Sequence, residues 1–251
     1  MTAPAETLRR LHVPGEPLVL PNAWDAASAR LVEDAGFPVV ATSSNATAAV
    51  LGYEDGEAAP VEEVLAYVVR IVRAVTVPVT VDFERGYRLA PAELVERFAA
   101  TGAVGLNLED SDPASGTMID PGEQADFLAA VRAAAAAAGI DLVINARVDS
   151  FPRGGSTSDA IDRGTRYLAA GADCVYPIGA PPDAIGELVE RIPGPINIGY
   201  AAGTLTLDEL AGLGVARVSF GPSLMRHLYG TFEARVLAAV SAGDDPFSGV
   251  T

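Results

Sequence analysis

The segment VTVDFERGY, residues 79–87, starts as a β-strand and ends as something else. Three β-branched residues lead to two carboxylates, Asp82 and Glu84, and the run breaks at Gly86. Alternate strand residues face the same way, so a strand reaching residue 84 puts both acids on one side. Acids at a strand end followed by a turn are typical of a parallel barrel, where chemistry sits at the carboxyl-terminal mouth.

Outward from this segment, short apolar runs alternate with alanine-rich amphipathic ones along the chain. Strands are expected at 18–23, 39–44, 79–84, 105–110, 142–149, 174–179, 196–201 and 217–221. Helices are expected at 25–36, 60–75, 91–101, 123–138, 156–170, 183–192, 206–213 and 222–242, several stopped by a glycine such as Gly36, Gly102 or Gly171. Eight strand–helix units in 251 residues predict a (β/α)8 TIM barrel. The competing architecture is an open doubly wound sheet, but no G-x-G-x-x-G follows the first strand. No linker or shift of composition divides the chain, so residues 1–251 are expected to form a single barrel domain.

The composition removes several chemistries. All 17 basic residues are arginines, so reactions that need a lysine Schiff base are excluded. His12 and His227 lie far apart, which argues against a His-rich zinc site. A formal charge of −16 opposes nucleic-acid binding. No run approaches the roughly 18 apolar residues of a membrane span, and the amino terminus lacks an apolar signal segment. With a single cysteine, Cys174, inside an apolar strand, the expected location is cytoplasmic and the thiol is expected to be an inert core group.

Reading the strand ends gives Asn22 and Asp25, then Ser43, Ser44 and Asn45, Asp82 and Glu84, Glu109 and Asp110, and Arg147 and Asp149. The last three strands end almost uncharged. Asp82, Glu84 and Glu109 converging at one mouth would repel unless protonated or bridged by a cation, and Mg²⁺ suits such oxygen ligands, with Mn²⁺ a substitute. Each acid has a plainer reading as a helix cap or an arginine partner. Arg147 is placed to clamp a substrate anion, or to pair with Glu109 or Asp149. The TSSN run, 42–45, offers hydroxyls and amides for an anion, or an ordinary helix cap.

Five ordered segments together resemble the isocitrate lyase / phosphoenolpyruvate mutase superfamily: LPNAWDAASARLVEDAGF, ATSSNATAAVLGYEDGE, PVTVDFERGY, GAVGLNLEDS and INARVDSF. The resemblance implies a (β/α)8 barrel and a Mg²⁺ ion held by strand-end carboxylates. By position, Asp82, Glu84 and Glu109 match the metal-site acids, and Ser43, Ser44, Asn45 and Arg147 the substrate-binding groups. Asp55 matches the aspartate after L-G, a candidate acid–base or positioning residue, with Tyr53 nearby as a candidate proton donor. Glu84 stands where the family has a second aspartate, and Arg85 and Arg88 replace threonine and glycine. The K-K-C-G-H loop of the isocitrate-type lyases is missing, and so is the lysine-bearing gating loop of the mutases; the chain resembles a short branch of the superfamily. The resemblance also implies a homo-oligomer, dimer or tetramer, with 222–242 as the last barrel helix and an element exchanged between subunits.

The expected function is a Mg²⁺-dependent lyase, cleaving or forming a C–C bond in a small α-keto or 2-hydroxy (di)carboxylate through a metal-stabilised enolate. The alternatives are P–C bond chemistry on a phosphonate, of the phosphonopyruvate hydrolase or phosphoenolpyruvate mutase kind, and a non-catalytic metabolite-binding barrel. Nucleic acid and membrane are not expected partners.

Overall fold

A computed structural model describes residues 3–201, 203 and 205–248. Its strands are β1 (Leu18–Leu20), β2 (Val40–Ala41), β3 (Val79–Asp82), β4 (Gly105–Glu109), β5 (Val143–Val148), β6 (Cys174–Pro177), β7 (Asn197–Gly199) and β8 (Arg217–Ser219). All pair in parallel, in the orders β2-β3-β4-β5-β6 and β1-β8-β7. Two single bridges join these arcs into a ring, Asn22 to Ala41 and Val175 to Ile196. The sheet is therefore the expected curled eight-stranded barrel.

Helices α1 (Pro4–Arg10), α2 (Ala26–Asp34), α3 (Ser44–Leu51), α4 (Val61–Val72), α5 (Pro91–Ala99) and α6 (Pro121–Ala137) come in the first two thirds of the chain. They are followed by α7 (Thr157–Ala169), α8 (Pro182–Arg191), α9 (Leu207–Gly212), α10 (Ser223–Thr231) and α11 (Ala238–Ala242). Helices α1 and α3 lie outside the expected set. The apolar faces of α4, α5, α7 and α8 pack onto the strands in one continuous core that includes Val68, Ile71, Phe98, Tyr167 and Leu188. Helix α1 closes the bottom of the barrel. Its Leu8 is fully buried beneath Gly105, where an added Cβ would come within 2.6 Å of the leucine Cδ2. Arg9 anchors the same helix to Asp141 at 2.6 Å and Asp173 at 2.8 Å.

The strand at 79–84 stops two residues early. Glu84 has φ 49°, Tyr87 φ 54° and Arg88 φ 56°, all left-handed, so the chain coils into a tight turn after Asp82. Gly86, at φ 91°, sits where a Cβ would strike Leu94 at 2.6 Å.

The 222–242 region is helical but does not pack as a barrel helix. Helix α10 runs through a π-turn at Phe232–Leu237 into α11, and Met225 is its one buried residue. Leu228, Tyr229, Phe232, Leu237 and Val240 are exposed. Its start touches the barrel mouth, through Arg226 Nη2 donating to Asn45 Oδ1 at 2.9 Å and an edge-on Trp24–Tyr229 contact. No described helix is long and apolar enough to cross a membrane.

His12 lies buried below the strands, its Nδ1 2.9 Å from the carbonyl of Leu8. Burial, with Arg217 nearby, lowers its pKa to about 4. Below pH 6.5 the unfolded chain takes up a proton that the folded chain refuses, so stability should fall as pH drops from 6.5 towards 4. The loss attributable to His12 should total about 3 kcal/mol. Comparing denaturant unfolding of the parent and His12→Gln at pH 7 and pH 4.5 checks this; the variant should show a smaller pH-dependent loss.

Candidate active site

The carboxyl-terminal strand ends surround two adjoining cavities of about 180 Å³ each. Ser44, Asp55 and Arg147 line both. Asp82 opens onto one, together with Ser43 and Asn45; Glu84 and Glu109 open onto the other, together with Arg153. A roomier hollow of about 510 Å³ lies behind the 56–61 loop. Its acid, Glu57, is already committed to the backbone amides of Arg85 and Tyr87, so the chemistry concentrates in the smaller pair.

Asp82 ends β3 and faces the amino terminus of α3. Its Oδ2 accepts from the Ser44 amide at 3.1 Å, which caps a helix whose own Ser43 side chain makes no cap. The capping alternative is thus realised at Asp82, across strands rather than along the chain, and at Asp25, which caps α2 through Ser28. Asp82 Oδ1 is buried and has no partner. A buried carboxylate oxygen without a donor is costly unless something positive comes to it.

The expected three-carboxylate floor is not assembled. Among the described residues, no three His, Cys, Asp or Glu groups gather closely enough to hold a metal ion. Glu84 is turned away by its left-handed backbone: its Oε2 accepts from the Glu57 amide at 2.6 Å and its Oε1 from the Tyr87 hydroxyl at 2.7 Å. Burial pushes its carboxyl up to about 7. Glu109 is engaged by Arg147, with Oε2 2.7 Å from Nη1, while burial and the neighbouring acids hold its pKa well above the usual carboxylate range.

The donor set still fits an oxygen-coordinated cation in a narrower form. Mg²⁺ needs only one or two protein carboxylates and keeps several waters. Asp82 supplies one unpartnered oxygen, and the remaining acids ring the cavities at longer range.

Arg147, on β5, is held from both sides: Glu109 on one, Asp149 on the other, with Nε to Oδ1 at 2.7 Å. The ion-pair alternative is realised with both acids, and the arginine lines the two cavities. Asp149 is itself fixed, accepting from Ser111 Oγ at 2.5 Å, and its amide donates to Asp110 Oδ1 at 2.8 Å. Asp110 in turn pairs with Arg163 at 3.1 Å and accepts from the Tyr167 hydroxyl at 2.7 Å. This chain sets the guanidinium plane of Arg147 from behind.

Asp55 reaches the site on the loop after α3 and accepts from Asn45 Nδ2 at 3.3 Å. Tyr53 does not join it. Its hydroxyl donates to Glu63 at 2.9 Å, and it lines neither cavity, so the expected proton donor is directed elsewhere. Cys174 is fully buried, its thiol pushed up to about 12 by burial, which matches the inert-thiol reading. The residues missed in the sequence are Asn107 and Arg217, which line the Asp82 cavity from within β4 and β8. The available signal was a polar residue at an alternate position of an apolar strand, in GLNLED and RVSFG.

The mouth of the barrel thus brings together a helix start capped by a strand-end carboxylate and an arginine clamped between two acids. The family model described as phosphoenolpyruvate phosphomutase matches residues 8–240, and the chain belongs to this family, within the isocitrate lyase / phosphoenolpyruvate mutase superfamily. An uncharacterized protein of Mycobacterium tuberculosis is 36% identical over 84% of this chain and 80% of its own length. The 2-methylisocitrate lyase of Salmonella typhimurium is 29% identical, covering 89% of this chain and 80% of that protein. A phosphonopyruvate hydrolase solved with oxalate and Mg²⁺ superposes with a TM-score of 0.86 at 25% identity, over 99% of this chain and 90% of its own.

Asp110 is fully buried, and removing it leaves Arg163 with a buried, half-compensated charge. Asp110→Ala should cost about 3–5 kcal/mol in chemical unfolding. A loss under about 1 kcal/mol would show that the chain behind Arg147 does not act as a unit.

Proposed function

We propose that this protein is a Mg²⁺-dependent enzyme that cleaves or forms a C–C bond in a small α-keto or 2-hydroxy (di)carboxylate. The observation that carries the reading is the unpartnered Asp82 Oδ1, in a cavity shared with the α3 amino terminus and Arg147. When bound, Mg²⁺ supplies positive charge against the enolate oxygen that develops as the bond breaks.

The chain's own residues do the rest. The start of α3, at Ser44 and Asn45, presents a positive helix end to the substrate carboxylate, beside the Ser44 amide that already caps onto Asp82. Arg147 holds the oxygen-rich end of the substrate by charge-assisted hydrogen bonds, its orientation fixed by Asp149. Asp55, on a loop above both cavities, is placed to take or return a proton. With Asp110, Asp149, Tyr167 and Arg163 buried behind it, the arginine is set before substrate arrives.

P–C chemistry is the second reading, favoured by Arg153. It lines the Glu84–Glu109 cavity and offers a second cation for a phosphonate beside Arg147.

The exposed apolar face of 223–242 fits the exchange of this element with a second copy of the chain, giving a homo-oligomer. A face carrying Phe232, Leu237 and Val240 is larger than single exposed apolar residues require.

Calorimetry with Mg²⁺ and oxalate tests the enzyme reading. Oxalate should bind only with the metal, and Asp82→Ala should weaken it by at least about a hundredfold, roughly 2.7 kcal/mol, while the fold persists by circular dichroism. Unchanged oxalate affinity in Asp82→Ala would remove the carboxylate from the site. For the exchanged element, light scattering of Phe232→Glu/Leu237→Glu should report monomers where the parent forms a dimer or tetramer; a parent that is itself monomeric ends that idea.

A further inference from the structure

Barrel interiors are usually filled by layers of branched aliphatic side chains. Below the mouth of this one the filling is polar. Asn107, Asn145, Asn197 and Arg217 are all at least nine-tenths buried. In register, Asn107 lies beside Asn145, and Asn197 beside Arg217. Their hydrogen bonds do not close. Asn145 Nδ2 donates to Asn107 Oδ1 at 2.8 Å, and Ser219 Oγ donates to Asn197 Oδ1 at 3.3 Å. Arg217 reaches only Asn107 Oδ1 and His12 Nε2, each at 3.5 Å. Arg217 Nε and Asn197 Nδ2 remain buried donors without partners.

The charge does not close either. Among the described residues Arg217 takes part in no ion pair, although it is 2% exposed, the largest fully buried side chain in the protein. The groups that act on its charge are Cys174 and Tyr176, both kept neutral by burial, and the Asp82 carboxylate, which lines the same cavity but forms no ion pair with it. The Asp82 cavity reaches down to it, with Asn107, Tyr176 and Ser219 along the way. A water molecule would satisfy the idle donors and leave the guanidinium without an ion pair. A small anion does both.

We propose that the barrel floor binds a small anionic group on Arg217 and Asn197. In the substrate complex that group is the second carboxylate of a 2-oxo dicarboxylate, and Arg217 is the residue that selects dianions; this half rests on the function proposed above. In the free protein an inorganic anion takes the same place.

The first test needs no metal. Crystals grown without chloride and soaked in sodium bromide should show an anomalous peak within hydrogen-bonding distance of Arg217 Nε and Asn197 Nδ2. Asn197→Asp sets a carboxylate beside the guanidinium, so it should abolish the peak and raise the thermal unfolding midpoint. The second test uses Mg²⁺-loaded protein in calorimetry. 2-Oxoglutarate should bind at least about tenfold more tightly than pyruvate, and Arg217→Met should bring that ratio near one. Oxalate, which has no group beyond its chelating atoms, should change by less than about threefold in the variant.

A bromide peak without dianion preference keeps the floor site for a free anion and overturns the substrate half. No peak and no preference, or a peak that survives both substitutions as an adventitious ion only, overturns the whole. If oxalate fails to bind the parent at all, the enzyme reading falls, and the bromide result still decides the floor site. Asn197→Asp keeps that decision available should Arg217→Met not fold.

Discussion

Closing eight strands into a ring leaves a seam where the first strand must meet both the second and the last. Asn22 spans it. Its Nδ2 donates to the Thr42 carbonyl beyond β2 at 2.6 Å, and its Oδ1 accepts from the Phe220 amide beyond β8 at 2.7 Å. The backbone pairs between β1 and β2 only through the single bridge at this residue. One amide side chain thus ties the mouth together at one of the two places where the ladder is a single bridge, and it lines the Asp82 cavity as well. Arg147, Asp82 and the start of α3 can be set to within hydrogen-bond tolerance only because that ring does not open.

Inside the ring, each acid at the mouth has been given a separate task. Asp25 and Asp82 cap helices, Glu84 and Glu57 tie loops, and Glu109 and Asp149 grip one arginine. The distribution explains how so many carboxylates share a small volume: most are matched by donors of their own or are raised in pKa by burial. Asp82 keeps one oxygen in reserve. That is where added positive charge would be most rewarded.

Much of this was legible in the sequence, and the gaps have physical causes. Strand positions followed from β-branched runs, and helix ends from glycines such as Gly102 and Gly171, both of which take left-handed conformations. Arg147 and Glu109 were visible as strand-end ions, and the register pairs them directly. The left-handed turn at Glu84 is not legible, because a non-glycine residue at positive φ leaves no local mark; only tertiary bonds to Glu57 and Tyr87 impose it. Tyr53 was misdirected for a similar reason, since Glu63 enters its surroundings from the next helix. Arg217 was passed over because it begins its strand, while attention falls on where strands end.

The turn after Asp82 has a mechanical side. Glu84 binds the Glu57 amide, and Glu57 returns its carboxylate to the amides of Arg85 and Tyr87. Two loops that come from different strands are thereby stitched to each other twice, with Glu57, Glu84, Tyr87 and Arg88 all wound left-handed. Such a double stitch behaves as one stiff plate. Swinging either loop outward alone would break its bonds to the other, so an arriving molecule would meet less resistance from parts of the rim that carry no such stitch.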